Sequence, residues 1–156
     1  MKRTLPLATM MALVSSVAIC GGGFSADTDR CHDRADAVLL EVSSWSQLRE
    51  WFEAFPQCDD GYLGEGVSDY VASHLAKQWK DLLLLERQFQ KNPKFKTFVL
   101  QHVDATANHH DLRAIITNAS SRCPSPMLAL CAELSSAARA ALDDAKTLDP
   151  EANYEP

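Results

Sequence analysis

The stretch that most constrains the fold is residues 62–103, where apolar side chains recur every three or four positions. This spacing is the period of one face of an α-helix. The stripe consists of Val67, Val71, Leu75, Trp79, Leu82, Leu85 and Phe89, followed after Asn92 and Pro93 by Phe95, Phe98, Val99 and Val103. Polar residues fall mostly off the stripe, so one face is solvated and other segments must complete the core. We expect two amphipathic helices here, the first of them long, with a bend in it as an alternative.

Helical spacing continues on both sides of this stretch. Short helices are expected over residues 34–42 and 45–55, and Ser44 or Ser46 can cap the second. A further helix is expected over residues 112–122. The last should cover residues 125–146, and its inward face is expected to consist of Met127, Leu128, Cys131, Leu134, Ala138, Leu142 and Ala145.

A turn should precede the long helix, where Asp59 or Asp60 is placed to cap it. The glycines that follow, Gly61, Gly64 and Gly66, lack the preceding strand and the Lys-Ser/Thr pair of a phosphate-binding loop. We expect them to let another helix approach closely. No segment shows the alternation and hairpin turns of strands. The sequence therefore predicts an all-α, single compact domain of about six or seven helices with disulfides.

The first residues have the features of a secretory signal. Lys2 and Arg3 precede an apolar run over residues 5–19 that is short for a transmembrane helix, and small residues follow up to Ala26. We expect a signal peptide over residues 1–26, a helical domain over 27–148 and a polar tail over 149–156. Cleavage after Ala18 is an alternative, and lipidation at Cys20 is less favoured because Ile19 is large for that position. The prediction is an exported chain with no membrane span.

The net charge bears on the class of partner. The chain has 15 basic and 21 acidic residues, and the signal segment holds two of the basic ones and none of the acidic ones, which leaves a net charge of −8 after its removal. This excess of negative charge argues against nucleic acid and anionic lipid as partners. It suits a basic protein partner, or it merely keeps a small exported protein soluble.

Four cysteines follow the signal segment: Cys31, Cys58, Cys123 and Cys131. In an oxidising compartment an even set reads as two disulfides, with three possible pairings. The short separation across Pro124 favours a bridge between Cys123 and Cys131, which leaves Cys31 to pair with Cys58. A zinc site would need paired short spacings such as C-x-x-C, which the chain lacks.

Titratable side chains concentrate at one place, which contains His102, Asp104, His109, His110 and Asp111. Imidazoles and carboxylates together can bind zinc or catalyse proton transfer. However, no two histidines stand four residues apart on one helix face, so we expect solvent-exposed histidines at helix ends and in a loop. The cysteines have disulfide partners and the paired serines lack nucleophile-elbow glycines. The sequence thus predicts no metal, no cofactor and no enzymatic activity.

The same segment has a second interpretation as a binding loop. A short polar connection between two packed helices can carry binding groups on a rigid scaffold. An ordinary helix connection is the alternative. The candidate partner-binding residues are Asp104, Ala105, Thr106, Ala107, Asn108, His109 and His110.

Several of these stretches resemble the immunity proteins for type VI secretion amidase effectors of Gram-negative bacteria. The likeness covers about residues 60–140, in the segments 61–69, Trp79, 92–95, 98–107, 111–115 and Cys123-Pro124 with Cys131. Its most distinctive feature is the His-Val-Asp-Ala-Thr run at 102–106, followed by Asp-Leu and then Cys-Pro. The resemblance does not extend to the pairing of Cys31 with Cys58.

The resemblance implies a periplasmic, all-helical homodimer that neutralises a papain-like cysteine amidase. Such amidases cut the peptide stems of peptidoglycan, and the immunity protein protects the producing cell and its kin. Inhibition in the family looks like occlusion, in which a helix surface and a projecting loop close the effector's active-site cleft. Residues 104–110 are the best match for that loop. The alternative is a periplasmic helical binding protein, or an inhibitor of another cell-wall hydrolase.

Overall fold

The computed structural model describes residues 24–148 of the 156-residue chain, with side chains from residue 30 to 147. Within this part there are seven α-helices and no strand. Their bounds are α1 Phe24–Leu39, α2 Trp45–Ala54, α3 Gly61–Lys77, α4 Leu82–Lys91, α5 Pro93–Gln101, α6 His109–Ser121 and α7 Leu128–Leu148. Two short 3₁₀ turns lie at Trp79–Asp81 and Ser125–Met127. The prediction of an all-α domain with six or seven helices is confirmed.

Two predicted segments lie largely or wholly outside the described residues. One is the signal peptide over residues 1–26, which includes Cys20 and of which the structure describes only residues 24–26. The other is the tail over residues 149–156. Over residues 24–148, no helix is both long enough and apolar enough to cross a membrane.

The prediction of one long helix before Asn92 is wrong, because the chain turns at Gln78 and forms two helices. α3 ends at Lys77, a 3₁₀ turn follows, and α4 begins at Leu82. The indole N–H of Trp79 donates to the carbonyl oxygen of Arg122 at 3.1 Å, and the Asn118 amide donates to the carbonyl oxygen of Ala76 at 3.1 Å. These contacts tie the break to the end of α6, so tertiary packing interrupts a helix whose apolar period runs through it.

Two other helix predictions need correction. The first helix ends at Leu39 and extends back to Phe24, whereas residues 34–42 were expected. In the last helix, Leu128 is 64% exposed, contrary to the predicted inward face. The 3₁₀ turn before α7 places Met127 in the core and shifts the phase of the helix, so Leu130 is buried and Leu128 points outward.

The core lies between two groups of packed helices. α6 packs against both α3 and α7, while α4 packs against α2 and α5, and α1 covers α2 and α3. An aromatic cluster fills the second group, with ring centroids 4.7–6.4 Å apart, and its members are Trp51, Phe52, Phe55, Phe89, Phe95 and Phe98. Ser44 caps α2 and Asn92 caps α5 through their side-chain oxygens.

Both disulfides form with the favoured pairing. Cys31 pairs with Cys58, with Cα atoms 5.8 Å apart, and Cys123 pairs with Cys131, at 6.1 Å. The first bridge fastens α1 to the turn before α3, and the second fastens the end of α6 to α7. Because such bridges persist in oxidising compartments, they indicate an oxidising, exported environment.

The turn before α3 uses its glycines in different ways. Gly61 has a φ of +49°, a conformation that side chains disfavour, and Gly66 lies under α1, where an added Cβ would be 3.4 Å from the Cδ2 of Leu39. The expected close approach of another helix therefore occurs at Gly66.

Candidate binding site

The predicted binding segment, residues 104–110, joins α5 to the first turn of α6. Thr106, Asn108 and His110 are exposed, Ala107 is 2% exposed, and Asp104, Ala105 and His109 are partly buried. The buried methyl group of Ala107 thus anchors the middle of the segment to the core. Its outward chemistry consists of a hydroxyl, an amide and an imidazole.

Asp104 fixes the start of this segment. Its Oδ1 accepts hydrogen bonds from the backbone N–H of Thr106 at 2.8 Å and from the Thr106 hydroxyl at 2.6 Å, while its Oδ2 accepts from the Ser68 hydroxyl at 2.8 Å. Burial alone would raise the pKa of Asp104. The hydrogen bonds from Thr106 and Ser68, together with the nearby His102, outweigh burial and lower that pKa. Asp104 is therefore a carboxylate that organises the turn.

His102 extends the network into the core. Its Nδ1 lies 2.9 Å from the Ser68 hydroxyl oxygen, and its Nε2 lies 3.1 Å from the Oδ2 of Asp59. Since the Ser68 proton is donated to the Asp104 carboxylate, the Ser68 oxygen accepts from Nδ1–H. Both ring nitrogens of His102 therefore have an oxygen partner. The ring also packs edge-on against Phe98, with centroids 4.5 Å apart.

The end of the segment is fixed by helix capping. The side-chain oxygen of Asn108 accepts from the backbone N–H of His110 at 2.8 Å, as an N-cap residue should. Asp111 is buried in the first turn of α6, and the Lys77 ammonium lies 3.5 Å from its carboxylate. A carboxylate at this position interacts favourably with the positive N-terminal end of the α6 helix dipole. Both ends of the binding segment are therefore held by side-chain hydrogen bonds.

Two sequence predictions at this site are wrong. His102 was expected to be exposed but is 9% exposed, whereas His110 is exposed as predicted. Asp59 and Asp60 do not cap α3 through their side chains. Asp59 binds His102, and the carboxylate of Asp60 lies 2.7 Å from the Nε2 of His32. Each carboxylate lies next to a histidine side chain, and α3 begins without a side-chain cap.

The trio of Asp59, His102 and Ser68 contains the residue types of a Ser-His-Asp triad. A catalytic serine needs an approachable hydroxyl and free donors for an oxyanion. Ser68 is 1% exposed in the middle of α3, and its proton is held by Asp104. As built, this network positions the segment and offers no access for a substrate.

The sequence reasoning missed Ser68 and Asp59 as partners of His102. A signal for Ser68 was present, because it lies next to Val67 and three residues before Val71, within the apolar stripe of α3. A hydroxyl on such a stripe needs a buried partner. Asp59 had no comparable signal.

Among the described residues, no group of three or more histidine, cysteine, aspartate or glutamate side chains could hold a metal ion.

Comparisons of this chain with protein-family models, with curated proteins and with solved structures found no match.

Proposed function

We propose that this chain is a periplasmic immunity protein that binds a type VI secretion peptidoglycan amidase and blocks its active site. The contact surface in this proposal is the segment of residues 104–110, which we call the binding loop. The producing cell and its kin would be protected because the amidase cannot reach peptidoglycan stem peptides while the loop occupies its cleft.

The observation that carries this proposal is the fixed backbone of the binding loop. Asp104 holds the first half through Thr106 and Ser68, and Asn108 holds the second half through His110. A loop that is ordered before binding loses little conformational entropy on association. Rigid interface backbone is also characteristic of protease–inhibitor complexes. The network that resembles a triad thus supports inhibition, because its role is to hold a surface in place.

The exposed side chains of the loop suit the cleft of a cysteine amidase. Thr106, Asn108 and His110 offer donors and acceptors without placing an unpaired carboxylate in the partner's cleft. The acidic net charge of the chain would speed association with a basic partner. The disulfides agree with export to the periplasm.

The test is inhibition of a papain-like peptidoglycan amidase encoded beside this chain, measured as stem-peptide hydrolysis with and without equimolar protein. The proposal expects stoichiometric loss of activity and a complex on size-exclusion chromatography. The masses of the free protein and of the complex also report whether the inhibitor is the homodimer that the resemblance implies. Full activity and no complex with any candidate amidase would overturn the proposal.

The loop itself is tested with the double substitution Thr106→Val, His110→Ala. Because Thr106 and His110 are two of the three exposed polar side chains of the loop, their loss should weaken inhibition by about tenfold or more. The matched control is Arg139→Ala, an exposed change on α7. Equal inhibition by the double variant and the control would show that binding uses another surface.

A further inference from the structure

A groove of about 530 Å³ runs between α1 and α3, and none of its lining residues belongs to the binding loop. One stripe of α3 lines it, formed by Tyr62, Gly66, Asp69 and Ser73. Gly66 lets α1 lie against this stripe, with the Leu39 side chain in van der Waals range of its backbone. The groove is therefore a direct product of helix packing.

The rim of the groove carries large apolar side chains that face solvent. Leu40 is 77% exposed and Tyr62 is 55% exposed. Val38, on the neighbouring turn of α1, is 44% exposed and borders a second cleft of about 400 Å³ between α1 and α2. Adjacent exposed apolar side chains next to clefts are characteristic of interaction sites.

The charges around both clefts are predominantly negative. Asp36 and Asp69 line the first cleft, and neither forms an ion pair with another described residue. Glu41 and Glu50 line the second. Desolvation at the Tyr62 hydroxyl, and then the charges of Asp36 and Asp33, raise the pKa of Tyr62. The negative field therefore extends across the apolar rim.

Positive charge in the groove is already neutralised or absent. The Lys77 ammonium donates to the Ser73 hydroxyl at 2.7 Å and lies 3.5 Å from the Asp111 carboxylate. Burial lowers the pKa of His74, against the opposing effect of Asp81. Asp36 and Asp69 thus remain available to a cation from outside the chain.

We propose that the α1–α3 groove binds a basic segment of a partner protein that presents aliphatic or aromatic side chains between lysines or arginines. The apolar side chains would cover Leu40 and Tyr62, and the cations would meet Asp36 and Asp69. A second copy of this chain is a poor occupant, because a twofold contact would bring the same acidic groups together. This surface is separate from the binding loop and does not depend on the amidase proposal.

The probe for this surface is a synthetic helical peptide of about 14 residues, roughly four turns, made only of leucine and lysine in an amphipathic pattern. Backbone amide shifts of the full exported chain are followed by NMR during titration. The expected result is that shifts concentrate on α1 and the Tyr62–Ser73 stripe, and that raising the salt from about 0.05 to 0.5 M weakens binding. The matched peptide with glutamate in place of lysine should not bind.

Two variants separate the charge from the apolar rim. Asp36→Asn with Asp69→Asn should weaken peptide binding by about tenfold at low salt and flatten its salt dependence. Leu40→Ser should weaken it by an amount on the order of tenfold at all salt concentrations. The controls are Asp143→Asn with Asp144→Asn, and Leu128→Ser, all exposed positions on α7. Thermal unfolding checks that each variant is folded.

Three outcomes would overturn this inference. One is diffuse shifts that are equal in groove variants and controls, which would indicate non-specific attraction to an acidic protein. Another is the absence of binding by the lysine peptide. The third is a dimer in sizing experiments that Leu40→Ser converts to monomer, since the occupant would then be a second copy. None of these experiments uses the amidase, so their outcome does not decide whether the proposed function is correct.

Discussion

The binding loop and the α1–α3 groove lie on different sides of α3 and treat their carboxylates in opposite ways. Ser68, which holds the loop, and Gly66, which lines the groove, are two residues apart, or roughly 200° around a helix. Asp104 accepts three hydrogen bonds within the chain, whereas Asp36 and Asp69 have no ion partner among the described residues. A satisfied carboxylate stiffens its own backbone, and an unsatisfied one remains available to a partner.

The two regions also differ in what keeps them in place. A covalent bridge from Cys31 to Cys58 holds α1, which forms one wall of the groove. The binding loop has no disulfide of its own and depends on the hydrogen bonds of Ser68, His102 and Asp104. Changes to the bridge and changes to the network should therefore damage different surfaces.

The largest effect is expected from removing the bridge with Cys31→Ser and Cys58→Ser. The loop that it closes has a sequence separation of 27, and chain entropy predicts a loss of about 3.5 kcal/mol in the free energy of unfolding. Removing the shorter Cys123–Cys131 bridge, with a separation of 8, should cost about 2.5 kcal/mol. Urea unfolding measures both losses.

Hydrogen exchange shows where the first of these losses falls. Without Cys31–Cys58, the amides of α1 should exchange faster while Thr106 and the start of α6 stay protected. Equal loss of protection at the groove and at the loop would mean that the two regions are not held independently.

Ser68→Ala should produce the next largest effect. The substitution removes the partner of the Asp104 Oδ2 and of the His102 Nδ1, and an unsatisfied buried group costs about 1 to 3 kcal/mol. The control on the same helix is Ser73→Ala, which faces the groove and removes only a contact to Lys77. Urea unfolding gives the stabilities, and exchange of the Thr106 amide reports on the loop. A Ser68→Ala variant as stable as the control would show that the network contributes nothing to rigidity.

This network also shows how far sequence reasoning reaches. Apolar periodicity predicts most helices because a buried face needs side chains at helical steps, and the polar stretch after Val103 locates the turn before α6. The sequence could have predicted the burial of His102, because this residue follows Phe98 by four positions on the same apolar stripe. The contact with Asp59 was not, because 43 residues separate the partners and no local pattern joins them.

The break at Gln78 and the groove lie beyond the local pattern for the same reason. The apolar stripe continues through Gln78 in the sequence, and only the packing of Trp79 against the end of α6 reveals the turn. The groove arises from the approach of α1 to Gly66, and its open acids become visible only when both helices are placed. Periodicity predicts which face of a helix is buried but not which neighbour covers it.

A smaller effect is expected in the pH dependence of stability, where His74 at the groove and Asp104 at the loop act in different pH ranges. Burial among Trp45 and Tyr70 lowers the pKa of His74 in the folded state, and hydrogen bonds lower that of Asp104. Both groups bind fewer protons when folded, so stability rises with pH in both windows. The His74 contribution is complete above its ordinary pKa of 6.5 and declines as the pH falls below it, whereas that of Asp104 persists until the pH falls below 3.8.

The check is urea unfolding between about pH 7.5 and 5, where one site contributes a slope of at most about 1.4 kcal/mol per pH unit. His74→Gln should flatten the dependence in this range. The control is His110→Gln, which changes a histidine whose ring is exposed to solvent. A slope that His74→Gln leaves unchanged would assign the effect to another group.

The smallest effect is expected at the Tyr70 hydroxyl, beneath the groove. This hydroxyl is buried without a hydrogen-bond partner among the described residues, and burial raises the pKa of Tyr70 to about 12. Because an unpaired buried hydroxyl is unfavourable, Tyr70→Phe should leave stability unchanged or raise it by up to about 1 kcal/mol. The ring contacts with Trp45 and His74 remain in the variant. Urea unfolding should therefore show a loss of stability for Ser68→Ala and no loss for Tyr70→Phe, although each removes one hydroxyl from α3. A loss above about 1 kcal/mol in Tyr70→Phe would show that the hydroxyl has a partner, such as a bound water, and that the groove side is as well satisfied as the loop side.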